Sequence, residues 1–221
     1  MISSAAIFDL DGTLIDSGRL HYKAFRKVVD DWWGMDFDYE KDFAPHYGKS
    51  AVEIITPFLE KNNIDVEKAG DFANQRRDTL KSILEDGVEI KLLDGAKEAV
   101  DTMIDEGFKT GLATGNRRET GELMVELAGF KDKFTARVYG DDVEKGKPDP
   151  AIFLKAAETL GVTPDKCIVF EDSVHGVEAA KNAGMKVVAV ATGMHSFQEL
   201  EGLNPDVLLN DLTGLDVKKL E

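Results

Sequence analysis

The feature that most constrains the fold of this chain is an alternation of short apolar runs with amphipathic helical patterns. The runs are continuously apolar, which is typical of strands buried on both faces of a parallel sheet. They occupy residues 5–10, 110–113, 137–139, 167–170, 187–191 and 207–209. Helical patterns at residues 97–106, 119–128, 151–160 and 174–183 separate them. We therefore predict an α/β protein with a doubly wound, Rossmann-like parallel sheet.

Residues 16–91 interrupt this alternation. They contain helical patterns at residues 20–33, 51–61 and 68–84, with no convincing strand between them. We expect an α/β core formed by residues 1–15 and 92–221, with residues 16–91 inserted as a small α-helical cap domain. Because the insertion directly follows the first strand, it is expected over the carboxyl end of that strand, where open α/β sheets bind ligands. Its acidic residues, Asp36, Asp38, Glu40 and Asp42, are expected in a solvated loop.

The net charge restricts the partners of the chain. The 221 residues include 27 Lys and Arg against 42 Asp and Glu, which gives a formal net charge of −15. This charge repels nucleic-acid backbones and anionic lipid surfaces, so we expect no nucleic-acid partner and no membrane partner. A small phosphorylated substrate is also repelled unless its site carries local positive charge.

The single cysteine and the N-terminal residues indicate a location. Cys167 cannot form an internal disulfide, and the first residues show no basic, signal-like segment. A reducing cytoplasm is the simplest location. We expect a monomer or a weak homodimer. Trp32 and Trp33 are expected to pack within the helical insertion, with a dimer contact as the alternative.

Acidic pairs follow two of the predicted strands. Asp9 and Asp11 end the first apolar run, and Glu171 and Asp172 follow the run at residues 167–170. Carboxylates crowded at one edge of a sheet raise one another's pKa and favour a bound cation. Oxygen ligands select a hard ion, and Mg²⁺ is the usual partner of a few carboxylates and a phosphate. We therefore expect a Mg²⁺ site here; the alternative is an acidic rim splayed into water.

Two further segments offer groups that a phosphate needs. Thr114, Gly115 and Asn116 end a strand with a hydroxyl and turn into a helix, so the hydroxyl and the following amides are expected to face phosphate oxygens. The alternative is an ordinary helix cap. The loop at residues 145–150 contains lysines beside prolines, a rigid position from which an ammonium reaches inward. Lys145 is expected to be solvated.

These residues together resemble the motifs of the haloacid dehalogenase (HAD) superfamily, in its phosphatase and β-phosphoglucomutase-like branch with a helical cap. The motifs are matched in order by Asp9-Leu10-Asp11-Gly12-Thr13, by Thr114, by Lys147 in Gly-Lys-Pro, and by Glu171-Asp172. The resemblance covers essentially the whole chain. It implies a HAD-like phosphoric monoester hydrolase, a Mg²⁺-dependent phosphatase acting on a small-molecule phosphate monoester, with sugar phosphates among the candidates.

The same resemblance implies roles for individual residues. Asp9 attacks phosphorus and forms an aspartyl-phosphate, while Asp11 donates a proton to the leaving oxygen and later takes one from water. Lys147 and Thr114 hold the transferring oxygens. The expected metal ligands are Asp9, the backbone carbonyl of Asp11, and Asp172, with Glu171 assisting directly or through water. The expected phosphate-binding residues are Thr114, Gly115, Asn116 and Lys147.

The helical insertion is expected to choose the substrate. His21, Lys49 and Arg76 are its candidate substrate contacts, and a structural or solvated role is the alternative for each. In the mutase branch an arginine follows the cap Gly-x-Ser, whereas Ala51 follows the corresponding serine here. A β-phosphoglucomutase-type hexose-phosphate mutase is the alternative function, and a non-catalytic phosphoacceptor or binding module is a third.

Overall fold

A computed structural model of the protein describes residues 4–47 and 49–220. Across these residues the strands are β1 (Ala5–Phe8), β2 (Lys109–Ala113), β3 (Ala136–Val138), β4 (Cys167–Glu171), β5 (Lys186–Val190) and β6 (Val207–Leu209). They form one six-stranded sheet in the order β3-β2-β1-β4-β5-β6. All neighbouring strands are parallel. The predicted doubly wound parallel sheet is confirmed.

The helices in the described residues lie close to the predicted ranges. They are α1 (Gly18–Trp33), α2 (Ala51–Lys61), α3 (Ala69–Glu85), α4 (Ala96–Asp105), α5 (Arg118–Leu127), α6 (Ala151–Leu160), α7 (Val174–Asn182) and α8 (Phe197–Glu201). The short helix α8 was not predicted. It begins at a capping box in which Ser196 and Glu199 each accept a backbone hydrogen bond from the other residue.

The centre of the sheet is buried because apolar side chains project from both of its faces. All four residues of β1 are fully buried. Phe8 stacks on Phe170 with 4.4 Å between the ring centroids. The pairing register places Phe8 beside Leu112 of β2 and beside Phe170 of β4. The carboxyl ends of β1, β2 and β4 are therefore neighbours.

The chain divides into two compact units, one formed by Met1–Asp16 with Glu89–Glu221 and the other by Ser17–Val88. The first unit contains the sheet and helices α4 to α8, and the second contains α1 to α3. The assignment of residues 16–91 as a separate cap domain stays a prediction.

The helical unit has its own aromatic core. Phe25, Phe37 and Phe72 are fully buried. Trp33 stacks on Phe72 with 5.8 Å between centroids, and Trp32 meets the same ring edge-on. The tryptophan pair therefore packs within this unit, although Trp32 remains 37% exposed. The dimer contact considered for the pair stays a prediction.

The acidic stretch before α2 is not simply a solvated loop, so that expectation is wrong for part of it. Tyr39–Phe43 forms a π-helical turn, and the Asp38 side chain accepts a hydrogen bond from the Lys41 amide at its start. Asp42 accepts a hydrogen bond from the Asp38 amide and lies 3.0 Å from Lys61 Nζ. These carboxylates are held by backbone N–H groups and a lysine, whereas Asp36 and Glu40 are exposed.

In the part of the chain that the structure describes, no helix has both the length and the apolar character that crossing a bilayer requires.

Candidate active site

Polar side chains from neighbouring strands meet at the carboxyl edge of the sheet. Asp9 follows β1, Thr114 follows β2, and Glu171 ends β4. Backbone hydrogen bonds extend the sheet pairing to these residues, since the Asp9 amide donates to the Phe170 carbonyl at 3.0 Å and the Thr114 amide to the Val138 carbonyl at 3.1 Å. Asp9, Thr114 and Glu171 are buried. The register of the sheet thus fixes the backbone positions of these polar groups.

The loop before α6 supplies an ammonium to this edge. Lys147 Nζ lies 2.5 Å from Asp9 Oδ1 and 2.5 Å from Glu171 Oε1. The peptide bond between Lys147 and Pro148 is cis. The other oxygen of Glu171 accepts hydrogen bonds from the amide and the hydroxyl of Ser173, at 2.7 and 2.9 Å. Lys145, from the same loop, is exposed.

Asp172 lies beside this cluster and is oriented by residues to which the sequence analysis gave no role. Thr13 Oγ1 donates to Asp172 Oδ1 at 2.9 Å. The backbones of Gly12 and Gly193 approach the same carboxylate so closely that a Cβ on either would overlap it. Thr192 Oγ1 donates to the Gly12 carbonyl at 2.6 Å. Thr192 and Gly193 follow β5. A search for polar side chains just after predicted strands would have found Thr192, but it would not have found Gly193, which has no side chain.

Asp11 is held from the β2 side of the site. Its Oδ2 accepts a short hydrogen bond from Asn116 Nδ2 and a longer one, 3.4 Å, from Thr114 Oγ1. The Asn116 amide N–H donates to Thr114 Oγ1 at 3.2 Å. Thr114, Gly115 and Asn116 therefore form the turn that faces Asp11, and Gly115 leaves room because nothing lies within 4 Å of the Cβ it lacks.

Burial and crowding shift the ionisation of the acids. Burial raises the pKa of Asp9 to about 8, even though the Lys147 ammonium acts to lower it. Burial also raises the pKa of Asp172 well above its ordinary value, and the charges of Glu171 and Asp9 add to that effect. Burial lowers the pKa of Lys147, but Asp9 and Glu171 more than offset it and leave that pKa raised. One ammonium therefore faces more carboxylates than it neutralises.

The donors at this edge suit a hard divalent cation. Within the described residues, no three His, Cys, Asp or Glu side chains converge as a closed ligand cluster. Lys147 lies between Asp9 and Glu171, and Asn116 holds Asp11. Mg²⁺ usually takes only one or two carboxylates and completes its shell with water and phosphate oxygens, so an open arrangement fits it. The crowding of Asp9, Glu171 and Asp172 around one ammonium fits it as well.

The candidate substrate residues of the helical unit differ in their surroundings. His21 is buried, and its Nδ1 lies 2.8 Å from Arg76 Nη2. The Arg76 guanidinium also lies over the ring of Phe25, 5.1 Å from its centroid. Lys49 is exposed. His21 and Arg76 are thus brought together within this unit, and Lys49 is not part of their contact.

Comparisons with known proteins agree on one family. A family model described as haloacid dehalogenase-like hydrolase matches residues 6–190. The chain is 33% identical over 186 residues to the fructose-1-phosphate phosphatase YqaB of Escherichia coli, which covers 83% of this chain and 94% of that protein. It is also 33% identical over 186 residues to the phosphorylated carbohydrates phosphatase of Thermotoga maritima, with 82% of each chain covered. A crystal structure of β-phosphoglucomutase from Clostridium difficile matches 100% of this chain and 96% of its own, with a TM-score of 0.77 and 26% identity. The chain therefore belongs to the haloacid dehalogenase-like hydrolase family.

Proposed function

We propose that this protein is a Mg²⁺-dependent phosphatase that hydrolyses a small phosphate monoester through an aspartyl-phosphate on Asp9. The observation that carries the proposal is the Lys147 ammonium, 2.5 Å from both Asp9 and Glu171 at the carboxyl edge of the sheet. In a chain of net charge −15, this is the local positive charge that an anionic substrate requires. Membership of a hydrolase family supports the same reaction class.

The proposed reaction has two steps. In the first, a carboxylate oxygen of Asp9 attacks phosphorus, the bond from phosphorus to the ester oxygen breaks, and Asp11 gives that oxygen a proton. Lys147 and Thr114 hold the transferring oxygens. In the second step water attacks the aspartyl-phosphate, Asp11 accepts a proton from the water, and inorganic phosphate leaves with Asp9 restored. Both steps depend on positioning and charge stabilisation, which buried and hydrogen-bonded side chains supply.

Asp9, Asp172 and the backbone carbonyl of Asp11 would hold the Mg²⁺ ion, with Glu171 assisting directly or through water. When bound, the ion neutralises charge on the carboxylates and on the transferring oxygens. The raised pKa of Asp9 supports this assignment, because a protonated carboxyl group is a poor nucleophile and an adjacent cation favours its ionised form.

Residues 16–91 act in this proposal as the cap that selects the substrate. The contact between His21 and Arg76 joins an imidazole to a guanidinium, groups that bind hydroxyls and anions. Lys49 is a third candidate contact. The names of the two relatives above, a fructose-1-phosphate phosphatase and a phosphorylated carbohydrates phosphatase, favour a sugar phosphate as the substrate class.

The proposal is tested by phosphate release from a panel of sugar phosphates, nucleotides and small phosphorylated acids, with Mg²⁺ and with EDTA. We expect Mg²⁺-dependent release from at least one sugar phosphate. Lys147→Ala should lower kcat by about 10²–10³-fold or more. Lys145→Ala, the matched exposed lysine of the same loop, should leave kcat unchanged. Absence of release from every ester, or an equal loss in both variants, would contradict the proposal.

A hexose-phosphate mutase is the second candidate, favoured by the structural likeness to β-phosphoglucomutase. One local feature argues for hydrolysis instead. Ser50 is the N-cap of α2, in a capping box with Glu53, and Ala51 opens the helix where the mutase branch has an arginine. Incubation with β-glucose 1-phosphate separates the two functions. Interconversion of glucose phosphates without release of inorganic phosphate would show that the protein is a mutase and not a phosphatase.

A further inference from the structure

The side chain of Asn116 is directed at Asp11. Its Nδ2 donates to Asp11 Oδ2 and lies 3.2 Å from Thr114 Oγ1, which itself donates to the same Oδ2 at 3.4 Å. Met124 Sδ lies 3.6 Å from Nδ2 as well. The carboxylate oxygen, the hydroxyl oxygen and the sulfur can each accept a hydrogen bond. This assigns the nitrogen rather than the oxygen of the Asn116 amide to this position. Two side chains thus donate hydrogen bonds to the same oxygen of Asp11.

The turn that carries Asn116 is held firmly by its backbone. The Asn116 N–H donates to Thr114 Oγ1 at 3.2 Å, and its carbonyl accepts from the Gly140 N–H at 2.7 Å. Gly140 passes so close to the Gly115 carbonyl that a Cβ at residue 140 would overlap it. The amide of Asn116 is therefore presented to Asp11 from a fixed position, which is what a positioning group needs.

We propose that Asn116 is a positioning residue that fixes which oxygen of Asp11 carries the proton. In a carboxylic acid the carbonyl oxygen is a stronger acceptor than the hydroxyl oxygen, so donation by the Asn116 amide to Oδ2 favours the proton of the acid form on Oδ1. This inference rests on the proposed function. As the bond from phosphorus to the ester oxygen breaks, the proton on Oδ1 passes to that oxygen and an alcohol leaves. The Asp11 carboxylate that results is stabilised by the hydrogen bond from Asn116. The side chain of Asn116 thus orients the acid, Asp11, rather than binding the phosphate.

The role of Asn116 predicts a dependence on the leaving group. A sugar alkoxide is strongly basic and needs a proton as it departs, whereas 4-nitrophenolate departs without one. Loss of the amide should therefore slow the first step with a sugar phosphate and spare it with 4-nitrophenyl phosphate. A side chain that bound the phosphate, or that only supported the fold, would affect both esters alike.

The test is the first-turnover rate of Asn116→Ala, measured by rapid quench with fructose 1-phosphate and with 4-nitrophenyl phosphate. We expect a fall of about 10–10²-fold for the sugar phosphate and of less than about threefold for the aryl ester. Met124→Leu is the matched control, because it alters a buried neighbour of the amide without removing the N–H, and it should resemble wild type. In an Asp11→Asn background, Asn116→Ala should cause little further loss with the sugar phosphate, because the proton that it places is gone.

Two results would overturn this role. One is equal slowing of both esters by Asn116→Ala, and the other is a full additional loss in the Asp11→Asn background. If wild type releases phosphate from neither ester, the proposed function falls together with this inference. Equal slowing in an otherwise active enzyme removes only the role of Asn116.

Discussion

At the scale of single residues, the candidate site buries several carboxylates, which lowers the stability of the fold. Asp9, Glu171 and Asp172 are buried carboxylates, and Lys147 contacts two of them. Burying a charge costs several kcal/mol unless partners compensate it. Lys147 compensates part of that cost, and Thr13 satisfies one oxygen of Asp172. The remaining cost is what a bound Mg²⁺ ion would offset.

The raised pKa of Asp9 predicts how stability depends on pH without metal. A carboxyl group whose pKa is about 8 when folded, against an ordinary 3.8, binds its proton more tightly in the folded state. Its contribution to stability is fully present below about pH 4 and is lost as the pH rises through about 8. In EDTA, the unfolding free energy of wild type should therefore fall relative to that of Asp9→Asn by about 2–4 kcal/mol between about pH 5 and about pH 8.

Urea unfolding of both proteins across this pH range measures the difference. Asp36→Asn is the matched control, because Asp36 is exposed and should show no comparable pH-dependent difference from wild type. A constant difference between wild type and Asp9→Asn would show that burial does not shift this carboxyl group.

Thr13 should matter through the carboxylate that it orients. It is fully buried and donates to Asp172 Oδ1 at 2.9 Å. Groups that hydrogen-bond to metal ligands typically contribute about 10–100-fold to metal affinity. Thr13→Val keeps the shape of the side chain but removes the donor, so the Mg²⁺ concentration for half-maximal activity should rise by about that factor. Thr13→Ser should restore it; an unchanged Mg²⁺ requirement in Thr13→Val would exclude this role.

At the scale of elements, the helix after β4 is built to accommodate Glu171. Gly176 lies in the first turn of α7, and a Cβ there would overlap the Glu171 carboxylate. Gly70, near the start of α3, has nothing within 4 Å of the Cβ it lacks. The two helical glycines therefore have different reasons to lack a side chain.

Substituting alanine for these two glycines should change the stability of the protein in opposite directions. Gly70→Ala should stabilise the protein by about 0.4–1 kcal/mol, because alanine loses less backbone entropy on folding. Gly176→Ala should destabilise it by about 1–3 kcal/mol through overpacking, and should lower activity by displacing Glu171 from Lys147. Thermal unfolding and phosphate release measure the pair. A Gly176→Ala protein as stable and active as Gly70→Ala would disprove the close packing.

The elements could be predicted where a long apolar periodicity defines them. The predicted helix at residues 151–160 has the same bounds as α6. Helix α8 was missed because five residues carry too little periodicity, although Ser196 and Glu199 mark its start. The π-helical turn Tyr39–Phe43 was missed because the acids around it were interpreted only as solvated charges. Their hydrogen bonds to backbone amides depend on the local conformation, which residue type alone does not specify.

The candidate site was predictable only as far as its motifs extend. Residues at the ends of β1, β2 and β4 stand out in the sequence because they are acidic or hydroxylic. Thr192 also follows a predicted strand, but it contacts Gly12 across 180 positions of the chain. That contact depends on the strand order β1-β4-β5, which the alternation of strands and helices does not reveal. Asn116 was identified, but its hydrogen bond to Asp11 required the folded turn.

At the scale of the whole molecule, a strongly acidic chain places an ammonium where we propose that the substrate phosphate binds. The net charge of −15 opposes other polyanions, whereas Lys147 is directed into the carboxyl edge of the sheet. Cys167 is a buried free thiol, and burial raises its pKa to about 11, so it does not compete as a nucleophile. A cytoplasmic location and a monomer or weak homodimer stay predictions.

The central claim is that Asp9 attacks phosphorus, and the most direct test is phosphate release by Asp9→Asn. Asparagine keeps the shape of the side chain but offers no carboxylate oxygen to form the aspartyl-phosphate. With saturating Mg²⁺ and 4-nitrophenyl phosphate, we expect the rate to fall by about 10⁴-fold or more, while the variant stays folded and, in EDTA near pH 8, exceeds wild type in stability. Turnover of this ester by Asp9→Asn at the wild-type rate would contradict the account.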